Sequence, residues 1–390
     1  MRWRILALLF VARIGLGLQF QTLGSVGGDL ITDFGLDYAG IGLLIGLFMA
    51  PGLFLALPAG YSGRYASDRV LAVSGLCALA IGGFVSSGAA DSWTIGLGRV
   101  LSGVGFLFIN IYFTKMVADW FVGREIATAM SILVMSWPFG IAMGQIGHAW
   151  LAEAYGWRVP FQVASAYCLL AAFGLFLFYR APDDRKSTAP TAAVRLSGQE
   201  WRLILCAGIA WGGLNGGYIT YLSFGPKALE AQGYTALAAA GVISVASWVM
   251  IFSGAICGQI ADRFGRRNTI LAVCMTGAIV GLSLLSVPGA GLAASLFIGL
   301  LGVAPAGIIM ALAGEAMRPE QRAFGMGVFF TIYFAIMMAS PPIAGAILDA
   351  TGNPGAAIAF GMILFAAVVP AALAFRWIKT GAEITKAKEA

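Results

Sequence analysis

Charge is what this sequence has least of. Charged residues make up 11% of its 390 positions, whereas soluble domains carry about a quarter, so that class is excluded. Acid is scarcer than base: 18 Asp and Glu stand against 24 Lys and Arg. None of the acids falls in the middle of an apolar run. There is one histidine, His148, read as a titratable, surface-facing residue at the outer end of its helix. The five cysteines (Cys77, Cys168, Cys206, Cys257 and Cys274) all lie in apolar runs, with no pair at metal-ligand or redox spacing. They read as small buried hydrophobes. No G-x-x-x-x-G-K-[ST] loop is present, so nucleotide hydrolysis is not the energy source. Paired buried carboxylates and a nucleophile–base constellation are also missing. The chain is therefore not read as an enzyme, and neither cofactor nor metal is expected.

What is there is hydrocarbon. Hydrophobic residues are 59% of the chain and the mean hydropathy is +0.87. Apolar runs of about 20 residues, the length that crosses a bilayer, recur twelve times. The expectation is an all-α membrane protein. Arg2 and Arg4 ahead of an apolar run could open a signal peptide, but Arg13 interrupts that run and no small-residue cleavage site follows, so it is read as the first span. One long polar stretch, "RAPDDRKSTAPTAAVRLSGQE" from Arg180 to Glu200, has the composition of a linker. It divides the chain into an N-terminal six-helix bundle (1–180), a linker (181–200) and a C-terminal six-helix bundle (201–390). With both termini on one side, that side collects 20 of the 24 cationic residues. By the positive-inside rule the termini are cytoplasmic and the protein sits in the inner membrane. The same bias accounts for the basic balance without nucleic acid. A monomer in the lipid bilayer is expected.

The second half repeats the first. "GYSGRYASDR", from Gly60, and "GQIADRFGRR", from Gly258, stand 198 positions apart, as do Arg124 and Arg322. A looser match pairs Glu153 with Asp349 and Gly156 with Gly352, 196 apart. Parallel repeats with a site between them near the midplane are a transporter architecture. "GQIADRFGRR" resembles the loop signature of the major facilitator superfamily, with Gly258, Asp262, Arg263, Gly265, Arg266 and Arg267 matching. "LGRVLSGVG", around Arg99, is similar to that superfamily's fourth-helix motif. In the first half the loop motif is degraded: Arg64 stands where the Asp is expected and Asp68 follows four residues later. The resemblance implies twelve helices in two pseudo-symmetric bundles and transport by alternating access. "RIGLGLQFQTLGSVGGDL" and "GIGLLIGLFMAPGLFLALPAG" look most like the cyanate permease and nitroimidazole-transporter group.

Arg13 lies about nine residues into the first span, roughly 14 Å deep and close to the bilayer midplane. An arginine there costs at least about 2.5–3.5 kcal/mol, so it should face a polar cavity. Without a protein carboxylate, a ligand's negative charge is its natural partner. The expected substrate is a small anion, with a coupling proton or a counter-anion left open. The alternative is an exporter of neutral or amphipathic compounds in which Arg13 is structural. The expected substrate-site residues are Arg13, Phe20, Gln21, Arg99, Tyr112, Trp137, Asn215, Tyr218, Trp248 and Tyr333. The expected gate residues are Arg64, Asp68, Arg124, Asp262, Arg263, Arg266, Arg267 and Arg322. Asp29 and Lys227, 198 apart, form a candidate outer pair.

Overall fold

The computed structural model describes residues 1–121, 125–182, 196–318 and 322–389. Twelve of its helices are long and apolar enough to cross a membrane. They are α1 Arg2–Phe34, α2 Tyr38–Ala56, α3 Asp68–Ser87, α4 Ser92–Trp120, α5 Thr128–Tyr155 and α6 Arg158–Phe178 in the first half. The second half holds α7 Gly198–Glu230, α8 Ala236–Phe264, α9 Arg267–Leu284, α10 Gly291–Glu315, α11 Phe324–Thr351 and α12 Pro354–Thr380. Helix starts follow from local chemistry. Asp37, Ser67, Asp91 and Thr235 cap α2, α3, α4 and α8 by accepting from backbone amides. A full capping box between Ser197 and Glu200 opens α7. Glu200 also takes Arg318 Nε at 3.0 Å, which ties the start of α7 to the end of α10.

Each half packs mainly on itself, α3 on α4 and α1 on α5 in the first, α7 on α11 and α12 in the second. Among the described residues the two most extensive contacts between the halves are α2 with α11 and α5 with α8. They are images of each other under the sequence repeat. Lipid gives helices no hydrophobic reason to associate, so close backbone packing has to do it. Gly17 on α1 meets Gly140 on α5 so closely that a Cβ at Gly17 would fall 2.7 Å from Ile141 N. Gly42 and Gly46 of α2 lie against the backbone of Pro341 and Met338 in α11, and Gly345 of α11 lies against that of Tyr38.

The starts of α1 and α7 and the end of α6 mark one face, here the basic face. At this face the ion pairs among the described residues stay within one half: Arg2–Glu125, Lys115–Asp68, Arg267–Asp262, Arg267–Glu315, Arg318–Glu200 and Lys379–Glu315. At the opposite face the halves are joined. Asp349, at the end of α11, accepts from Tyr38 N at 3.0 Å and Ala39 N at 2.8 Å, the first turn of α2. The thiols of Cys257 and Cys274, unrelated by any redox spacing, also meet between α8 and α9.

Glycine contacts of this kind make a sharp distinction between positions. Gly17→Ala should destabilise the protein by about 1–3 kcal/mol, because backbone atoms cannot move aside. Gly254→Ala, where no atom lies within 4 Å of the new Cβ, should be neutral or slightly stabilising. Melting temperatures of the two variants in detergent check this; equal effects would contradict it.

Candidate functional site

Arg13 is buried, 7% exposed, and aims across the first half at α4 and α5. Its Nη2 donates to Asn110 Oδ1 at 2.7 Å, and its Nη1 donates to Leu133 O at 2.8 Å and Ser136 Oγ at 3.3 Å. Pro138 supplies a further acceptor. Lacking an N–H, it leaves the carbonyl of Val134 without its helical donor, and Arg13 Nη1 stands 3.5 Å from that oxygen. Every one of these acceptors is neutral. Arg13 Nε is buried and has no partner among the described residues. The guanidinium is thus held in place by dipoles while its charge stays uncompensated.

An aromatic cluster lies beside it and is built from both halves. Trp137 packs against Phe20 and Phe106, each at 5.2 Å between ring centroids, and Phe48 packs against Phe20 at 5.5 Å. Phe106 reaches across to Phe334 of α11 at 6.4 Å, and Phe334 touches Tyr333 at 4.9 Å. Tyr333 lies within electrostatic reach of the Arg13 guanidinium. Trp211 of α7 sits 6.2 Å from Tyr333. Phe139 and Trp248 form a second ring contact between the halves, at 5.2 Å.

The expected site residues therefore divide. Arg13, Phe20, Trp137 and Tyr333 come together, and Trp248 marks the α5–α8 seam. Arg99 does not join them. It is 1% exposed and donates to the carbonyls of Leu44, Gln19 and Phe20 at 3.2, 2.8 and 3.4 Å, with Phe48 beneath it at 4.4 Å. It clamps α1, α2 and α4 together. Tyr112 holds the end of α2 through Ala59 O at 2.9 Å and Ser62 Oγ at 2.8 Å. Asn215 bonds back to Trp211 O within its own helix, and Tyr218 pairs with Ser247. Gln21, next to Phe20, turns instead towards Gly144 of α5, with Ser25 Oγ 3.5 Å from its Nε2. Asn110, the direct partner of Arg13, is absent from the sequence-derived set, as is Ser136. An amide within an apolar span needs a partner, and that signal points to Asn110.

Gate residues fall into place in the same way. Asp68 is buried and takes Lys115 Nζ at 2.7 and 2.9 Å, within the first half. Asp262 is largely exposed, 3.9 Å from Arg267, which also faces Glu315 at 3.5 Å. Arg263 lies over Phe264 at 5.9 Å. The Arg266 side chain has no hydrogen-bond or ion-pair partner among the described residues. Arg124 and the side chains of Arg64 and Arg322 lie outside the described residues. Asp29 and Lys227 share a cavity of about 320 Å³ between the halves at the opposite face, but Lys227 Nζ pairs with Glu230 at 2.7 Å. His148, expected at the surface, is 2% exposed with Nδ1 unpartnered. The α-helical period turns this position inward against Gln21 and Gly144.

The contact that sequence reasoning missed at the opposite face is Asp349. Its carboxylate sits on the positive end of α2, an arrangement worth about 0.3–1 kcal/mol at an exposed helix end. Its repeat counterpart, Glu153, lines the 320 Å³ cavity beside Thr235, Ala236 and Leu237 at the start of α8. Asp349→Ala should favour the conformer open at the opposite face by about twofold to fivefold. The rate at which a membrane-impermeant maleimide labels Ser223→Cys, in that cavity, reads the shift. An unchanged rate would rule out the latch.

With this geometry in place, comparison with known proteins is informative. The chain is 24% identical over 373 residues to the gallate transporter of Pseudomonas putida, covering 86% of this chain and 80% of that one. It is 24% identical over 289 residues to the cis,cis-muconate transport protein of Acinetobacter baylyi, covering 68% of each. Its fold superposes on a bacterial homologue of the human lysosomal transporter Spinster, in an inward-facing and occupied conformation, with a TM-score of 0.76 at 18% identity and 97% coverage of both chains. The Major Facilitator Superfamily profile matches residues 9–338 and 260–390, so the chain belongs to that superfamily of membrane transporters.

Proposed function

We propose that the chain carries an organic carboxylate, aromatic or unsaturated, in the site between Arg13 and the Phe20–Trp137–Tyr333 cluster. The observation that carries this reading is the Arg13 guanidinium, buried at membrane depth with neutral partners only and with Nε unused. A carboxylate completes it by accepting a charge-assisted hydrogen bond where the protein offers none. The surrounding rings offer flat apolar contact to the remainder of such a molecule. Gallate is an aromatic carboxylate and muconate a conjugated one, so the names of the two relatives fit the same chemistry.

The route follows from the two faces. The basic face is cytoplasmic by the positive-inside rule, in an inner membrane. The conformer described then holds its halves together externally, through α2, α11 and Asp349, with no ion pair between them on the cytoplasmic side among the described residues. The 1–180 and 201–390 bundles rock about the site. Arg99 fixes the helices that frame it. A smaller, pseudohalide-like anion is the second reading, favoured by the resemblance of α1 and α2 to the cyanate permease and nitroimidazole-transporter group.

A matched pair of probes separates charge from shape: gallate and its neutral methyl ester. Gallate should raise the melting temperature of the purified protein and methyl gallate should not. In Arg13→Gln the apparent affinity for gallate should fall about 10- to 100-fold, the loss expected for a hydrogen bond to a charged group. Cyanate in place of gallate tests the second reading. Equal stabilisation of parent and variant by the methyl ester would instead make Arg13 structural and the substrate neutral.

A further inference from the structure

A second cationic site lies on helices of the second half. At the basic face, Gly265, Arg266, Arg267, Asn268, Thr269 and Arg376 line a cavity of about 290 Å³. Gly265 ends α8 with φ +65°, a left-handed conformation that suits glycine and reverses the chain sharply. That turn sets Arg266 and Arg267 side by side at the start of α9. The start of α9 has no side-chain cap; Arg267 N–H donates to Gly265 O at 3.0 Å, while the N–H groups of Asn268 and Thr269, which line the cavity, have no partner among the described residues. Arg376 comes from the end of α12, which packs along α9.

The charge balance here is lopsided. Arg267 faces Glu315 at 3.5 Å and Asp262 at 3.9 Å, but Glu315 is already engaged by Lys379 at 2.7 Å. Arg266 and Arg376 have no acidic partner among the described residues. Arg376 Nε is buried without any hydrogen-bond partner. Two guanidinium groups, a third one half-neutralised and an open helix N-terminus therefore converge on one small cavity. This combination of donors matches a tetrahedral oxyanion. Phe264 and Trp377, 64% and 79% exposed, flank it, as aromatic side chains do at a membrane–water boundary. Because α9 packs only against helices of its own half, an occupant would not lie on the path between the halves.

We propose that this cavity binds a phosphate-bearing anion, supplied either by the headgroup of an anionic phospholipid or by free phosphate. A bound phosphate would bridge the α8–α9 turn to α12 and brace the loop that carries Asp262, Arg263, Arg266 and Arg267.

The test uses the full-length protein in detergent, with its melting temperature followed during titration of dioctanoyl phosphatidylglycerol, dioctanoyl phosphatidylcholine or inorganic phosphate. Phosphatidylglycerol should give a saturable rise that phosphatidylcholine does not. The double variant Arg266→Gln/Arg376→Gln should need about 30 times more lipid for half-saturation, at about fivefold per arginine near an anionic headgroup. Arg69→Gln, a basic residue of the same face outside the cavity, should titrate like the parent. If inorganic phosphate alone produces the full, variant-sensitive rise, the source is free phosphate rather than lipid. If the double variant does not fold, Arg376→Lys keeps the charge and removes Nε, and should weaken half-saturation several-fold. Equal responses to both lipids with none to phosphate, an equal loss in Arg69→Gln, or an unaltered Arg376→Lys would overturn the proposal.

Discussion

An arginine held at membrane depth by neutral acceptors sets the terms for the rest of this protein. Placing Arg13 there costs at least about 2.5–3.5 kcal/mol, and the chain meets that cost with dipoles instead of a carboxylate. Asn110, Ser136 and the carbonyls of Leu133 and Val134 hold the two terminal nitrogens. They fix the direction of the group and leave its charge intact. A carboxylate on α4 or α5 would have stabilised the resting protein more, and would have competed with any anion arriving from water. The geometry keeps a positive potential available where the two halves meet.

The second constraint is that the halves must stay together without being fused. Helix backbones at the α2–α11 seam approach through Gly42, Gly46 and Gly345, a contact that buries little side chain and can be broken. The one charge-assisted contact across the seam among the described residues, Asp349 on the first turn of α2, is exposed and of modest strength. Its repeat partner Glu153 stands at the corresponding start of α8 without such a bond and opens onto a cavity instead. Two equivalent seams are thus in different states in one conformer. That asymmetry suits a carrier whose two end states must lie close in free energy. Arg99, by contrast, is fully enclosed by carbonyls of α1 and α2 and keeps its own half rigid during any such movement.

Much of the fold was legible in the sequence because lipid admits so few solutions. Twelve apolar runs, a cationic bias and a 198-residue repeat leave little freedom in helix number or arrangement. Arg13, Phe20, Trp137 and Tyr333, which the structure brings together, were legible as candidates because each is a polar or aromatic residue near mid-span. Arg99 was misplaced among them, since depth along a helix says nothing about which way a side chain faces. His148 went astray for the same reason: its position near a helix end suggested solvent, while its face turned it inward. Asn110 and Asp349 were missed because their roles exist only in contacts with residues 97 and about 310 positions away. Lys227 pairs with Glu230, three residues along the same helix, and also stands within electrostatic reach of Asp29.

The most direct test of the central claim is a structure of the protein with gallate bound. The account expects the carboxylate within hydrogen-bonding distance of Arg13 Nε, with the ring against Phe20, Trp137 or Tyr333 and the bond to Asn110 retained. Gallate bound elsewhere, with Arg13 contacting only Asn110, Ser136 and the α5 carbonyls, would contradict it.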